Sequence, residues 1–333
     1  MSYSPCLDRF GRRINYLRLS VTDRCNLRCA YCSRTQRDFI PHLEILSYEE
    51  HLELISAARR LGVDKVRLTG GEPFARKDFL TFLQRIMARF PDLDLRLTTN
   101  GTLIPEKMQQ LKDIGLSRLN ISLDTLDRQR YAQLCGRDLF PEVWRSIENG
   151  LDAGLGIKIN VVAMRGVNDD ELKGFLELVR RYPLDVRFIE FMPLTDTGDW
   201  DNSRVWTARE ILAEASEYAE LTPVSEHEPN SGPARMYQLD SGRGRLGVIS
   251  PLTEHFCATC NRFRITSDGG LRTCLFSNRE YRLRPILRSQ KFGLEQLVRV
   301  MRMAARQKPM GYEILRQRCA VEPGGRTMAA IGG

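Results

Sequence analysis

Three cysteines stand within eight residues in Cys25-Asn-Leu-Arg-Cys29-Ala-Tyr-Cys32. Soft thiolates at such spacing wrap a loop around zinc, copper(I) or an iron–sulfur cluster. A structural zinc ion takes a closed tetrahedral set and wants a fourth ligand close by. No Cys, His or Asp follows within five residues of Cys32, and Asp23 is a poor structural ligand. A four-iron cubane held by three thiolates keeps its fourth iron open to an exogenous chelator, and this spacing favours such a [4Fe–4S] cluster.

A second group is Cys257-Ala-Thr-Cys260, with Cys274 fourteen residues on. Alone it suits a Cys₃His zinc site completed by His255. Beside the first group, a second [4Fe–4S] cluster with an open iron is the better reading. Arg262-Phe263-Arg264 follows, and residues two apart share a strand face, so both guanidinium groups can meet phosphates bidentately. An exposed alternating strand is the plainer alternative. Cys6, Cys135 and Cys319 read as small buried hydrophobes or idle thiols.

These residues need a frame. Apolar runs alternate with amphipathic stretches, which predicts six βα units with strands at about Tyr16–Val21, Lys65–Thr69, Leu95–Thr98, Arg118–Leu123, Ile157–Val162 and Val186–Phe191. Capping boxes open helices at Ser47–Glu50 and Thr207–Glu210. A loop rich in Gly, Pro, Ser and Glu from Glu226 to Gly232 suggests a boundary, dividing the chain into 1–225 and 226–333. Beyond it come strands near Arg235–Leu239, Leu246–Ile249 and Phe263–Thr266, then a helix from about Leu294 with Leu297, Val298, Met301 and Ala305 inward. Five of the first six strands end in a chemistry-bearing motif: the cysteine loop, Gly70-Gly71-Glu72-Pro73, Thr98 to Gly101, Ser122-Leu123-Asp124, and Glu190 to Pro193. Active sites in βα barrels are assembled from loops at those carboxyl ends. Arg18, Lys65, Arg67, Lys158 and Arg187 inside strands imply an anionic ligand or internal ion pairs.

The formal charge of +8 resides in the segment from Arg279 onward, which holds twelve Lys/Arg against four Asp/Glu. A solvated basic helix accounts for most of it, ahead of a polyanion site or nucleic acid. There is no apolar leader and no stretch long enough to span a membrane, so a cytoplasmic enzyme is expected, with no membrane or nucleic-acid partner.

Cysteines spaced C-x3-C-x2-C, with an aromatic residue before the third, resemble the signature of the radical S-adenosylmethionine superfamily. Within it the chain resembles the MoaA family, the GTP 3′,8-cyclases of molybdenum-cofactor biosynthesis. The likeness rests on Leu17 to Cys25, Val66 to Pro73, Leu119 to Asp124, Ile157 to Asn160 with Gly166 to Asp169, Arg187 to Leu194, Phe256 to Arg264, and the terminal Gly332-Gly333. It implies a partial (β/α)₆ TIM-like barrel with a smaller C-terminal α+β domain carrying the second cluster. Cys25, Cys29 and Cys32 would hold one [4Fe–4S] cluster, and Cys257, Cys260 and Cys274, lying across the barrel mouth, the other. Tyr31, Gly71, Glu72, Ser122 and Met192 would bind S-adenosylmethionine, with Glu72 accepting from its ammonium group. GTP would meet Arg18, Arg67, Thr98, Lys158, Arg262, Phe263 and Arg264, of which Arg18, Arg262 and Arg264 would act in catalysis. A 5′-deoxyadenosyl radical would take hydrogen from ribose C3′, and closure onto C8 would give 3′,8-cyclo-7,8-dihydro-GTP. An electron donor and a downstream pyranopterin monophosphate synthase would be partners of a monomer or homodimer, and the Gly332-Gly333 tail would enter the active site. The chain departs from the family pattern at Ser33-Arg34-Thr35 and Phe74-Ala75. Two rivals remain: a peptide-modifying radical enzyme, whose auxiliary region usually has more cysteines, and a zinc-stabilised nucleic-acid-binding protein.

Overall fold

The computed structural model describes residues 5–32, 39–193, 201–224, 232–318 and 331. Ser33-Arg34-Thr35, Cys319 and Gly332-Gly333 lie outside them.

The six expected strands form with ends shifted by no more than a residue or so: β1 (Tyr16–Ser20), β2 (Lys65–Thr69), β3 (Asp94–Thr99), β4 (Arg118–Ser122), β5 (Gly156–Ala163) and β6 (Asp185–Glu190). All pair in parallel and in chain order. Helices between them bury one face against the sheet; helix Tyr48–Arg60 sets Leu54, Ile55 and Ala58 inward. Both capping boxes are present, with Ser47 accepting from the Glu50 amide and Thr207 from that of Glu210. The terminal helix Leu294–Arg306 buries Leu297, Val298, Met301 and Ala305 as its periodicity predicts.

The strands after residue 226 enter the same sheet as the first six. After β7 (Leu221–Pro223) come β8 (Arg235–Leu239), β9 (Arg245–Ile249), β10 (Arg262–Ile265), β11 (Gly270–Arg272) and β12 (Tyr281–Arg282). The order is β12-β11-β10-β1-β2-β3-β4-β5-β6-β9-β8-β7. β9 runs parallel to β6 and β10 parallel to β1, so each edge of the six-stranded core is covered.

Alternation divides each strand between two environments. Leu17, Leu19, Val66, Leu68, Val186 and Phe188 enter the apolar layer under the helices. Tyr16, Arg18, Lys65, Arg67, Arg187 and Arg264 take the other face. That lumen is polar, unlike the apolar interior that fills most (β/α)₈ barrels.

Candidate active site

The first cysteine loop follows β1, with Cys25, Cys29 and Cys32 half-buried. Its backbone is fastened on two sides. Arg28 and Ala30 amides donate to the carbonyls of Cys135 and Leu134, at 2.8 and 2.9 Å, where helix Arg128–Cys135 ends in the left-handed Gly136. Gly71 and Glu72 amides donate to the Thr22 and Arg24 carbonyls, both at 2.8 Å. A Cβ on Gly71 would lie 2.3 Å from the Arg24 carbonyl oxygen, so only glycine permits this approach. The Asn100 amide side chain reaches Cys25 Sγ at 3.7 Å and Asn26 Oδ1 at 2.9 Å.

The Glu72 carboxylate is buried and accepts from the Phe74 amide, the Thr99 hydroxyl and the Asn100 amide at 3.1, 2.8 and 2.7 Å. Burial nevertheless raises its pKa to about 7. Glu72 therefore ties the second loop to the third. Tyr31 is anchored too: its hydroxyl donates to Asp124 at 2.6 Å, while Asp124 accepts from the Val162 amide. Burial raises the Tyr31 phenol well above its ordinary value and Asp124 to about 6. Ser122 ends β4 and Met192 follows β6, each half-buried.

Register brings the basic residues together. Arg18 pairs with Arg67 on one side and Arg264 on the other, and Tyr16 with Arg262. The Tyr16 oxygen accepts from Arg67 Nε at 2.6 Å, and Arg67 also donates to the Thr98 hydroxyl at 3.3 Å. Burial alone would raise the Tyr16 phenol, but Arg67, Arg18 and Lys65 outweigh it and bring it down to about 7. Burial lowers Arg18 and Arg187 to about 10, and pushes Arg264 well below its ordinary value with help from Arg18 and Arg262. Several cations crowded in one lumen repel one another, and a multiply charged anion is the chemical class that would relieve them.

Two expected contacts look different in place. Lys158 is bound to Asp185 at 2.8 Å, and Arg245 holds the same carboxylate at 2.8 Å, so Lys158 is an internal ion pair. Phe263 is fully buried in the apolar layer on the face of β10 away from Arg262 and Arg264, so its ring is core. Arg187 was absent from the expected ligand set; its guanidinium donates to Asn160 at 2.7 Å, while its Nε is buried without a hydrogen-bond partner. Its position in the same alternation as Arg18 and Arg67 was the available signal.

The second cysteine group requires a correction of place. Cys257 and Cys260 precede β10, and Cys274 follows the antiparallel β11. Because β10 is parallel to β1, these residues lie at the amino end of the strands, opposite the Cys25 loop. They close the far end of the lumen, not its mouth. With strands rising roughly 3.3 Å per residue, the five residues of β1 put the two groups on the order of 15 Å apart. Cys260 and Cys274 both act electrostatically on Cys257, so the three thiols share one locality. A Cβ on Gly311 would lie 2.9 Å from Cys274 Sγ and 3.5 Å from Cys257 Sγ, and the amides of Gly311 and Tyr312 bond to Cys257. His255 Nδ1 lies 2.8 Å from the Pro251 carbonyl, and its ring stacks on Tyr312.

Residues 19–179 match the family model of the radical SAM superfamily, and residues 184–314 the model described as Molybdenum Cofactor Synthesis C. A GTP 3′,8-cyclase of Geobacter sulfurreducens is 43% identical over 329 residues, covering 98% of this chain and 99% of that protein. The chain belongs to the GTP 3′,8-cyclase family. Another family member, from Syntrophomonas wolfei, is 46% identical over 286 residues, 85% of this chain and 87% of its own length. The fold is also that of Streptococcus suis SuiB in its crystal structure bound to S-adenosylmethionine, with a TM-score of 0.61, 15% identity and coverage of 92% of this chain and 69% of that one. Membership of this cyclase family makes the chain an enzyme of radical SAM type that uses S-adenosylmethionine and an iron–sulfur cluster. No helix among the described residues is long and apolar enough to cross a membrane.

Proposed function

We propose that the enzyme cyclises GTP between ribose C3′ and guanine C8, the opening reaction of molybdenum-cofactor synthesis. The observation that carries this reading is a cation-lined lumen with a triplet of cysteines at each end. When loaded, a four-iron cluster at Cys25, Cys29 and Cys32 together with S-adenosylmethionine supplies a carbon-centred radical able to take a hydrogen atom. Tyr31, Gly71, Ser122 and Met192 bind the S-adenosylmethionine, and Glu72 holds the loops that frame it. Arg18, Arg67, Arg262 and Arg264 receive the triphosphate, with Thr98, Arg187 and the Asp185-paired Lys158 completing the set. Burying the phosphates among these groups desolvates both partners and fixes the nucleotide in one orientation. Cys257, Cys260 and Cys274 would hold a second four-iron cluster, which would supply a Lewis-acidic iron for the nucleotide at the far end. In this reading residues 1–225 generate the radical and 226–333 present the substrate. The enzyme draws on an external electron donor and passes its product to a pyranopterin-forming synthase.

The test is anaerobic incubation with reductant, S-adenosylmethionine and GTP, followed by product analysis. We expect 5′-deoxyadenosine and a cyclised GTP in step with each other. Absence of both from protein loaded with iron would exclude the proposal. 5′-Deoxyadenosine that rose with a peptide and not with GTP would favour a peptide-modifying enzyme.

A further inference from the structure

Arg12 and Lys308 are buried cations 296 residues apart in the chain, and neither belongs to the lumen. Arg12 pairs with Asp8 at 2.5 Å. Its Nη1 donates to the carbonyl of Cys257 at 2.7 Å, and its Nη2 to those of Pro309 and Lys308 at 3.2 and 3.4 Å. Lys308 is 1% exposed, and its ammonium donates to the carbonyl of Arg262 at 2.9 Å and to that of Thr273. These carbonyls adjoin the three cysteines. Cys257 offers its own, Arg262 is two residues past Cys260, and Thr273 precedes Cys274. The 308–309 segment leads directly to Gly311, the residue packed against Cys274 and Cys257.

Burying an ammonium group is costly unless an anion or strong acceptors compensate it. No carboxylate pairs with Lys308 among the described residues; the charged groups that act on it are Cys260 and Cys274, with Arg12 and Arg262. Three thiolates on one cluster would supply the missing negative charge.

We propose that Arg12 and Lys308 are positioning residues for an auxiliary cluster: Arg12 fastens the Cys257 loop and the 308–311 segment to the N-terminal stretch, and Lys308 fastens the Cys260 and Cys274 strands to each other. The inference rests on reading Cys257, Cys260 and Cys274 as ligands of a second four-iron cluster. Neither residue touches substrate, so each acts through the cluster it holds.

The test compares anaerobically reconstituted wild type, Arg12→Gln, Lys308→Met and Lys308→Arg by iron and sulfide content, by EPR of the reduced protein, and by S-adenosylmethionine cleavage without GTP. Wild type should hold about eight irons, four per cluster. Arg12→Gln and Lys308→Met should fall toward about four irons, or keep both clusters with the auxiliary signal altered and its potential lowered. S-adenosylmethionine cleavage, which reports the first cluster and the fold, should persist. Lys308→Arg keeps the charge and should retain most of the iron; equal loss in the Met and Arg variants would mean packing alone and overturn the inference. Full iron with unaltered auxiliary signal and potential in both Arg12→Gln and Lys308→Met would also overturn it. If Arg12→Gln does not fold, Asp8→Asn loosens the same guanidinium and should lower the auxiliary iron content or alter the auxiliary signal; unchanged iron and signal count against the proposal. Wild type with about four irons would instead remove the second-cluster reading, and the inference with it.

Discussion

Tyr16 stands among Arg18, Lys65 and Arg67, with its oxygen 2.6 Å from Arg67 Nε and its pKa brought down to about 7. An ionised phenol there satisfies Arg67 before substrate arrives and competes with a phosphate for it. Raising pH through about 7 therefore strengthens the internal partner. The apparent affinity for GTP should fall across that range, and Tyr16→Phe should flatten the fall. At lower pH the substitution also removes a hydrogen bond that orders Arg67, so the KM for GTP should rise roughly tenfold, about 1.4 kcal/mol. Cleavage of S-adenosylmethionine without GTP should be unchanged; steady-state kinetics at several pH values checks both. His51 makes a second pH prediction, on stability. It is buried between the carbonyls of Ser47 and Ser20, and burial followed by Arg76 lowers its pKa from 6.5 to about 4. The unfolded chain then binds the proton more readily than the native one. Its contribution is fully present above about 6.5 and is lost as pH falls through about 4. Thermal melts should lose stability across that window, and His51→Gln should shallow the slope; an unchanged slope would remove His51 as the cause.

Strand ends and the loops between them set the geometry of the first cysteine group. Gly70-Gly71-Glu72 is pressed against residues 22–24, Glu72 grips the loop after β3, and Asn100 and Asn26 join that loop to Cys25. Each loop is positioned by its neighbour, so disturbance spreads along the barrel rim. Gly71→Ala puts a Cβ 2.3 Å from a backbone oxygen, and relief requires moving one loop away from the other. We expect this variant to fold yet lose at least tenfold in S-adenosylmethionine cleavage, with Cys257, Cys260 and Cys274 still able to hold iron. Iron analysis beside a deoxyadenosine assay separates these effects, and wild-type cleavage would show that the close approach is dispensable.

At the scale of the molecule, the last hundred residues act as edge covers as well as carriers of the second cysteine group. β9 and β10 occupy both edges of the six-stranded core, and Arg284 pairs with Glu44 ahead of the first long helix and Arg288 with Glu50 in its first turn. Part of the basic surplus after Arg279 is thereby paired, at Arg284 and Arg288, or buried, at Lys308. A fragment of residues 1–225 has its first cysteine loop intact but exposes unpaired edges on β1 and β6, and β10 no longer contributes Arg262 and Arg264. It should aggregate on expression or bind a hydrophobic dye strongly. A monomeric fragment that bound S-adenosylmethionine normally would show the core to be self-sufficient.

The sequence by itself determined the two cysteine triplets, the six parallel strands, both capping boxes and the motifs at the strand ends, because each is written in local spacing and short-range periodicity. Alternation within strands also made the cations of β1, β2 and β6 legible as one face. Tertiary structure alone decided what those residues meet. Glu72 turned inward to Thr99 and Asn100, Lys158 found Asp185, and Phe263 went to the core, since partners 27 or more residues away are chosen by register and packing. It also decided the direction of β10. A strand reads the same in either sense, yet pairing parallel to β1 carries Cys257 and Cys260 to the amino end of the barrel, with the arginine-lined lumen between them and Cys25.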